Sequence, residues 1–428
     1  MSPVLSLSVR SIGNRRLSVA LTVIAVALAV ALLLGVERLR NDAREGFAHT
    51  ISGTDLVVGA RGGAVQLLLY SVFHIGNASN NVSMPSMEHI AALPQVKWLV
   101  PISLGDSHRS MRVVGTTTNF FMHYRHGRGQ ALHFAAGHAF STAADGLFQA
   151  VVGSEVAARF GYRVGQQIVL SHGSLGGEGG PRFADHADKP FTVVGVLAPS
   201  GTPVDRAVLV SLESIEAIHV DWHGGAPIPG VSIAPEHARK FDLRPKSVTA
   251  ALVGLDSRIA VFRVQRQINT FADEPLMAIL PGATLQELWS LVGVVERALL
   301  AVSALVVVVG LAGLVAVVVA SLGERRRELA ILRALGASPL QIFALLALES
   351  VLLSLAGIVL GLGLLYVATA LAAPWLAASY GLSLQLNWPS VGEWRLLAAV
   401  LGASLAASLV PAWRAYRYSL ADGLTIRI

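Results

Sequence analysis

Between positions 298 and 322 the chain carries no charged side chain. No other feature restricts the fold so sharply, because a run of about 20 apolar residues is what a helix needs to cross the hydrocarbon core of a bilayer. Positions 17–36 and 396–413 repeat the pattern, and 342–373 repeats it with Glu349 as its one charge. The expected fold class is an integral membrane α-helical protein with four transmembrane helices and a large α+β extracytoplasmic domain between spans 1 and 2. A composition of 53% hydrophobic and 14% charged residues fits this class and argues against a soluble enzyme.

Charge orients the spans. Arg10, Arg15, Arg16, Arg325, Arg326, Arg327, Arg333, Arg414, Arg417 and Arg427 all fall at span ends that share one side, while loop 374–393 has neither Lys nor Arg. By the positive-inside rule that side is the cytoplasm. Topology thus accounts for the net charge of +6, and the partners it calls for are membrane lipids, with no nucleic acid. Residues 1–16 place Leu5, Val9 and Ile12 on one helical face and read as a cytoplasmic interfacial helix. Positions 17–49 then read as transmembrane helix 1 and a stalk. A cleaved signal peptide is the rival reading, yet the apolar stretch is too long for an h-region and no small-x-small cleavage site follows it. Arg15-Arg16 lacks the flanking residues of a twin-arginine signal and is taken as topological charge.

The loop at 323–338 carries the most specific pattern. Leu329, Leu332 and Leu335 recur at helical spacing, Glu324 can pair with Arg327 and Arg325 with Glu328, and Gly336 stands where a helix end turns left-handed. Ser338, Pro339 and Gln341 supply an N-cap, a first-turn proline and a capping-box partner for the next helix. A short amphipathic helix clamped between two spans is expected, which a moving cytoplasmic partner could push. The string Glu-Arg-Arg-Arg-Glu-Leu-Ala-Ile-Leu-Arg-Ala-Leu-Gly-Ala-Ser at 324–338 resembles the coupling segment of FtsX-like and MacB-like permeases of the type VII ABC transporter superfamily. The resemblance implies an ATPase-coupling role for Glu324, Arg325, Arg326, Arg327, Glu328, Leu329, Leu332, Arg333, Leu335 and Gly336. It also implies two copies of a separate ATP-binding cassette ATPase, which would hold ATP and Mg, and a second permease copy or homologue completing a dimer. Anchoring to lipid headgroups is the plainer use of the same arginines.

From 50 to 283 short apolar runs alternate with turn signals, as in a soluble α+β domain. Strands are expected at 55–59, 96–104, 112–115, 151–152, 167–170, 191–197, 207–210, 248–255 and 276–280. Lying between the first two spans, this domain falls outside the cytoplasm, in the periplasm if the membrane is a bacterial inner membrane. An inserted subdomain is expected at 140–239, with 50–139 and 240–283 pairing in space as a porter-like subdomain. The strings 151–165 and 191–197 resemble the corresponding region of MacB-like permeases, in which one subdomain holds another. Positions 60–80 and 105–140 match no pattern. Thr284 and Glu287 form a capping-box pair that would start helix 284–322, a stalk running into span 2. Span 3 at 339–373, an outer loop at 374–393, span 4 at 394–413 and a cytoplasmic tail at 414–428 complete the layout.

No motif for bond-breaking chemistry is present. Glycine-rich 173–180 lacks the lysine and following helix of a phosphate cradle, and neither Gly-x-Ser-x-Gly nor His-Glu-x-x-His occurs. The chain is expected to be a non-catalytic subunit with no cofactor of its own. Without cysteine it has neither disulfides nor thiolate sites. All 13 histidines lie between His49 and His237, among them His123, His126, His133, His138, His219 and His223. Imidazoles at such spacings could hold zinc, but histidine avoids spans, and surface or turn histidines are the favoured reading. Glu349 is expected to snorkel or to pair with an arginine of the 323–338 loop. Gly357, Gly361 and Gly363 would let helices approach closely. By resemblance, the chain is the permease of an ABC transporter that couples a partner's ATP hydrolysis to movement of the outer domain, exporting or extracting an envelope substrate. Lacking a fused ATPase, its layout is nearest the stand-alone lipoprotein-extraction permeases, with a periplasmic adaptor or substrate-binding protein as a further partner. FtsX-type signalling to cell-wall hydrolases and a zinc-linked ABC transporter are the alternatives.

Overall fold

The computed structural model describes residues 16–50, 52–141, 146–172, 185–223, 226–228, 230–324, 331, 333–380 and 386–417. The chain divides into two compact units, Arg44–Val292 and, from either side of it, Met1–Ala43 with Gly293–Ile428.

Helix α1 (Arg16–His49) opens the described chain. The unit that follows is built on one mixed sheet of 11 strands among the described residues. They are β1 (Leu56–Ala60), β2 (Val96–His108), β3 (Met111–Thr116), β4 (Phe134–Gly137), β5 (Gln149–Val152), β6 (Gln167–Ile168), β7 (Ser171–His172), β8 (Phe191–Leu197), β9 (Ala207–Ser211), β10 (Ala250–Leu255) and β11 (Leu276–Ile279). Across the sheet the order is β11-β1-β10-β2-β3-β9-β5-β8-β4, with β7 on β2 and β6 on β8. Pairing is parallel at β3/β9 and β5/β8, and antiparallel elsewhere in the sheet. Helices α2 (Ala64–Val72), α3 (Ser154–Phe160), α4 (Leu212–Ile218) and α5 (Val261–Asn269) pack on it.

Alternation along each strand decides which core a side chain joins. Val57, Val100, Val114, Val151, Leu209 and Leu252 share one continuous core with Leu67, Leu68 and Tyr70 of α2. Their neighbours on the same strands enter two other cores. Leu56, Val58 and Val253 lie with Val261, Val264 and Ile268 of α5, whereas Val113, Ala150, Val152 and Val208 lie with Val156 of α3 and Ile218 of α4. One core is therefore common to the whole sheet, and the other side is split in two. For that reason the block at 140–239 does not stand apart: its strands β5, β8 and β9 are flanked by β3 and β4, from the stretch 105–140 that matches no sequence pattern. The link is a two-residue hairpin at Arg109 and Ser110, with φ of 46° and 69°, the positive-φ turn that fits the twist of paired strands. Between β2 and β10, Gly254 faces Trp98. A Cβ on Gly254 would come within 2.1 Å of the indole, so only glycine lets the ring lie flat there.

The other unit joins α1 to α6 (Pro281–Glu324), α7 (Pro339–Tyr380) and α8 (Val391–Arg417). Their windows Val19–Asp42, Pro281–Ala320, Leu340–Ala373 and Val391–Val410 are each long and apolar enough to cross a membrane. Helix α6 starts at Pro281 rather than at Thr284, whose N–H already donates to Leu280 O at 3.0 Å. A proline placed at the first helical position overrides the downstream capping-box pair. Val26, Val30, Leu34, Leu314, Leu353 and Val400 form the packed centre of the unit. Lipid gives helices no hydrophobic reason to associate, so close backbone approach matters more. A Cβ at Gly357 would lie 2.6 Å from Val26 Cγ1 and one at Gly361 2.7 Å from Ala27 O, while Gly363 faces open space. Ser354 and Ser404 bond hydroxyl to hydroxyl between α7 and α8. Glu349 is buried, at 5% exposure, instead of snorkelling to the bilayer surface.

Candidate functional site

Of the residues expected to couple to an ATPase, Arg325, Arg326, Arg327, Glu328, Leu329 and Leu332 lie outside the described residues. Glu324 closes α6. At the far end of the segment Leu335 N–H donates to Ile331 O at 2.9 Å and Gly336 N–H to Arg333 O at 3.0 Å, forming a last helical turn. Gly336, at φ 96°, ends it, in a conformation that strains a residue bearing a Cβ but not glycine. Ser338 N–H then donates to Gln341 Oε1 at 2.8 Å and Gln341 N–H to Ser338 Oγ at 3.3 Å, a reciprocal cap on the first turn of α7. Ile331 and Leu335, four residues apart, are 58% and 81% exposed. Between α6 and α7 the chain thus presents apolar side chains on a sharply terminated helical turn, with half-buried Arg333 beside them.

A buried ion pair ties the opposite ends of the membrane helices. Arg38 Nε lies 3.0 Å from Glu393 Oε1, with side chains 7% and 4% exposed. Arg38 Nη2 also donates to Asn387 O at 3.2 Å, and the guanidinium sits 5.0 Å over the ring of Tyr366. Ser390 N–H donates to Glu393 Oε2 at 2.6 Å and Glu393 N–H to Ser390 Oγ at 3.2 Å, so the same carboxylate caps α8. This constellation gives no sequence signal, since its partners come from α1, α7 and α8. Its charges are balanced, and its evident work is to fasten three helices.

In the outer unit Asp106, His172, His186 and His219 each bring one potential ligand atom within 4.8 Å of the others. The β2/β7 ladder sets His172 opposite Asp106. A bridge from Ser171 to Asp185 delivers the neighbouring His186, and His219 is the C-cap of α4. Asp106 and His186 are buried, at 3% and 0% exposure. Burial, helped by His219, lowers the His186 pKa to about 4 and holds that ring neutral; a hydrogen bond to Asp106 raises His172. These four are the described residues that could hold a metal ion. Of the histidines singled out by sequence, only His219 belongs to the group. His123 stacks on Trp98 at 4.9 Å, His126 is buried while His133 and His138 are exposed, and the side chain of His223 lies outside the described residues.

Comparison with known proteins matches residues 19–270 to the MacB-like periplasmic core domain and residues 300–420 to the FtsX-like permease C-terminal domain. No curated protein matches. Among solved structures the chain is similar to the periplasmic region of MacB from Actinobacillus actinomycetemcomitans, at 10% identity over 56% of this chain and 94% of that one, with a TM-score of 0.34. It is likewise similar to the extracellular domain of the noncanonic ABC-type transporter YknZ from Gram-positive bacteria, at 11% identity over 52% and 98%, with a TM-score of 0.31. Because the periplasmic-core match alone takes in more than half of the 428 residues and the permease match takes in three of the four apolar helices, the chain belongs to the MacB-like, FtsX-type family of ABC transporter permeases.

Proposed function

We propose that this chain is the non-catalytic, membrane-spanning subunit of an ABC transporter, in which a separate ATPase acts on the 324–338 segment and the outer domain does mechanical work on a substrate of the cell envelope. The observation that carries the reading is α6. It is 44 residues long, about twice what a bilayer core requires. Strand β11 ends at Ile279 and α6 starts at Pro281, with only Leu280 between them, and the last residue of α6 is Glu324, the first of the coupling segment. One uninterrupted helix therefore connects the edge strand of the outer sheet to the place where a nucleotide-driven partner would push. The long apolar runs support movement rather than conduction, since positions 17–36, 298–322 and 396–413 hold no ionisable side chain with which to line a hydrophilic path. Export or extraction of a substrate already outside a bacterial inner membrane follows, with the permease acting as a dimer alongside two ATPase copies.

Coupling requires contacts that differ between the nucleotide states of the partner. Leu332→Asp or Arg333→Glu, introduced into the full transporter, should abolish stimulation of the ATPase by the permease and weaken assembly of the complex. Wild-type stimulation together with intact assembly in both variants would refute the role of this segment.

A further inference from the structure

The Asp106 cluster has the spacing of a metal site, and hydrogen bonding within it leaves His186 unmatched. His172 Nδ1 lies 3.0 Å from His219 Nε2 and 3.2 Å from Asp106 Oδ1, and His219 Nε2 lies 3.7 Å from that same oxygen. Ligands on a tetrahedral zinc ion, bound at about 2.0–2.1 Å, stand about 3.3 Å from one another. These three separations bracket that value. His219 Nδ1 is engaged by Ile215 O at 2.8 Å, which makes it the protonated nitrogen and leaves a lone pair on Nε2, directed at the cluster. This is the arrangement in which a backbone carbonyl orients a metal-binding imidazole.

His186 supplies the independent observation. The residue is fully buried, yet neither of its ring nitrogens has a hydrogen-bond partner. A buried polar group left unmatched costs about 1–3 kcal/mol, and a metal ion would take one of these nitrogens. The buried Asp106 carboxylate calls for positive charge as well, and buried Lys189 is already committed: its Nζ lies 2.7 Å from Asp221 and 2.5 Å from Asp188. The ring of Trp222, 5.2, 4.4 and 5.5 Å from those of His172, His186 and His219, gives the cluster an apolar wall. Side chains of His172 and His219, 31% and 24% exposed, leave a way in from solvent.

We propose that Asp106, His172, His186 and His219 form a site for one divalent transition-metal ion of the zinc class. Three imidazoles and one carboxylate, with no thiolate available, match the preferences of Zn2+; Ca2+ and Mg2+ favour all-oxygen shells. Bound metal would fasten the C-terminus of α4 and strand β7 to β2, and it would stabilise the outer domain by mass action. The site stands on its own donor atoms and does not depend on the coupling role of 324–338.

The test uses the full-length protein in detergent, stripped with a chelator and titrated with Zn2+ against a chromophoric competitor, with Co2+ as a spectroscopic substitute. Expected are one equivalent of zinc per chain bound with sub-micromolar affinity, and the intense visible bands of four-coordinate Co2+. His172→Ala and Asp106→Asn should each weaken binding by about 100-fold or more, beyond what loss of an outer-shell partner does, while His133→Ala should leave it unchanged. Thermal melts of the metal-free variants separate lost ligation from lost folding, and half-exposed His172 is the substitution least able to disturb the core. Zinc binding no tighter than micromolar in the wild type, or full affinity retained in folded His172→Ala, would overturn the assignment.

Discussion

Two buried polar clusters, one in each unit, differ in whether their charges and lone pairs are matched. At Arg38 and Glu393 a cation meets an anion, and the surrounding carbonyl, ring and helix cap absorb most of the remaining hydrogen-bonding capacity. At Asp106 one acid meets three imidazoles, and His186 keeps both nitrogens unmatched. The first arrangement has its charges matched and, of the pair, leaves only Arg38 Nη1 without a partner, so its function is to hold helices together. The second is complete only when a cation joins it. Burial alone does not mark a binding site; burial with an unmet donor set does.

The largest effect is expected at the completed cluster. Arg38→Ala strands Glu393 as a buried, unpaired charge, a change that costs about 3–5 kcal/mol. The double variant Arg38→Met with Glu393→Gln removes both charges but keeps an oxygen to accept from Ser390 N–H, and should lie within about 1–2 kcal/mol of wild type. Thermal unfolding in detergent micelles checks both. If the double variant is as damaged as the single one, the pair is not a balanced clasp and the contrast between the clusters fails.

His74 sharpens the contrast from the other side. Its Nδ1 is also buried and unmatched, but the charge acting on it is the guanidinium of Arg112, which donates to Gly76 O at 2.7 Å and Asn77 Oδ1 at 3.0 Å. An unmet nitrogen beside a fixed cation repels a second cation. Burial, with Arg112 adding to it, lowers the His74 pKa from 6.5 to about 4. As pH falls, the unfolded chain therefore binds the proton first: the stability His74 permits is complete above pH 6.5 and is lost progressively down to about 4, by about 3 kcal/mol at most. His74 has φ 56°, and Asn tolerates that conformation. His74→Asn should flatten the acid limb of stability against pH relative to wild type. An unchanged profile would mean that His74 does not titrate in this window.

Local signals made half of this architecture legible and nonlocal pairing hid the rest. The spans follow from apolar length, and the turn at Gly336 and the cap at Ser338 follow from residues only three positions apart. By contrast, the continuity of the sheet depends on Arg109 and Ser110, a positive-φ pair without the Asn or Gly that announces such a hairpin. The four donors around Asp106 come from β2, β7, the approach to β8 and the end of α4, so no spacing motif joins them. The spacing of His219 and His223 suggests helical periodicity, whereas the true neighbours of His219 are 113, 47 and 33 positions away, at Asp106, His172 and His186. Arg38 and Glu393 are 355 positions apart, and neither looks unusual in its own helix.

The smallest effect is expected where a polar pair is satisfied and exposed. Ser338 and Gln341 exchange two hydrogen bonds, the same reciprocal pattern that Ser390 and Glu393 make at the start of α8. Yet both Ser338 and Gln341 are open to solvent, so water can replace whatever a substitution removes. Ser338→Ala should cost about 1 kcal/mol, an ordinary cap penalty, and should act locally: amide exchange at Gln341 and Ile342, whose N–H groups bond to Ser338, should speed by roughly the tenfold or less that such a penalty allows, with global unfolding unchanged. A loss comparable to that of Arg38→Ala would show that hydrogen-bond pattern rather than burial sets the cost, and the distinction drawn between the two clusters would have to rest on something other than desolvation.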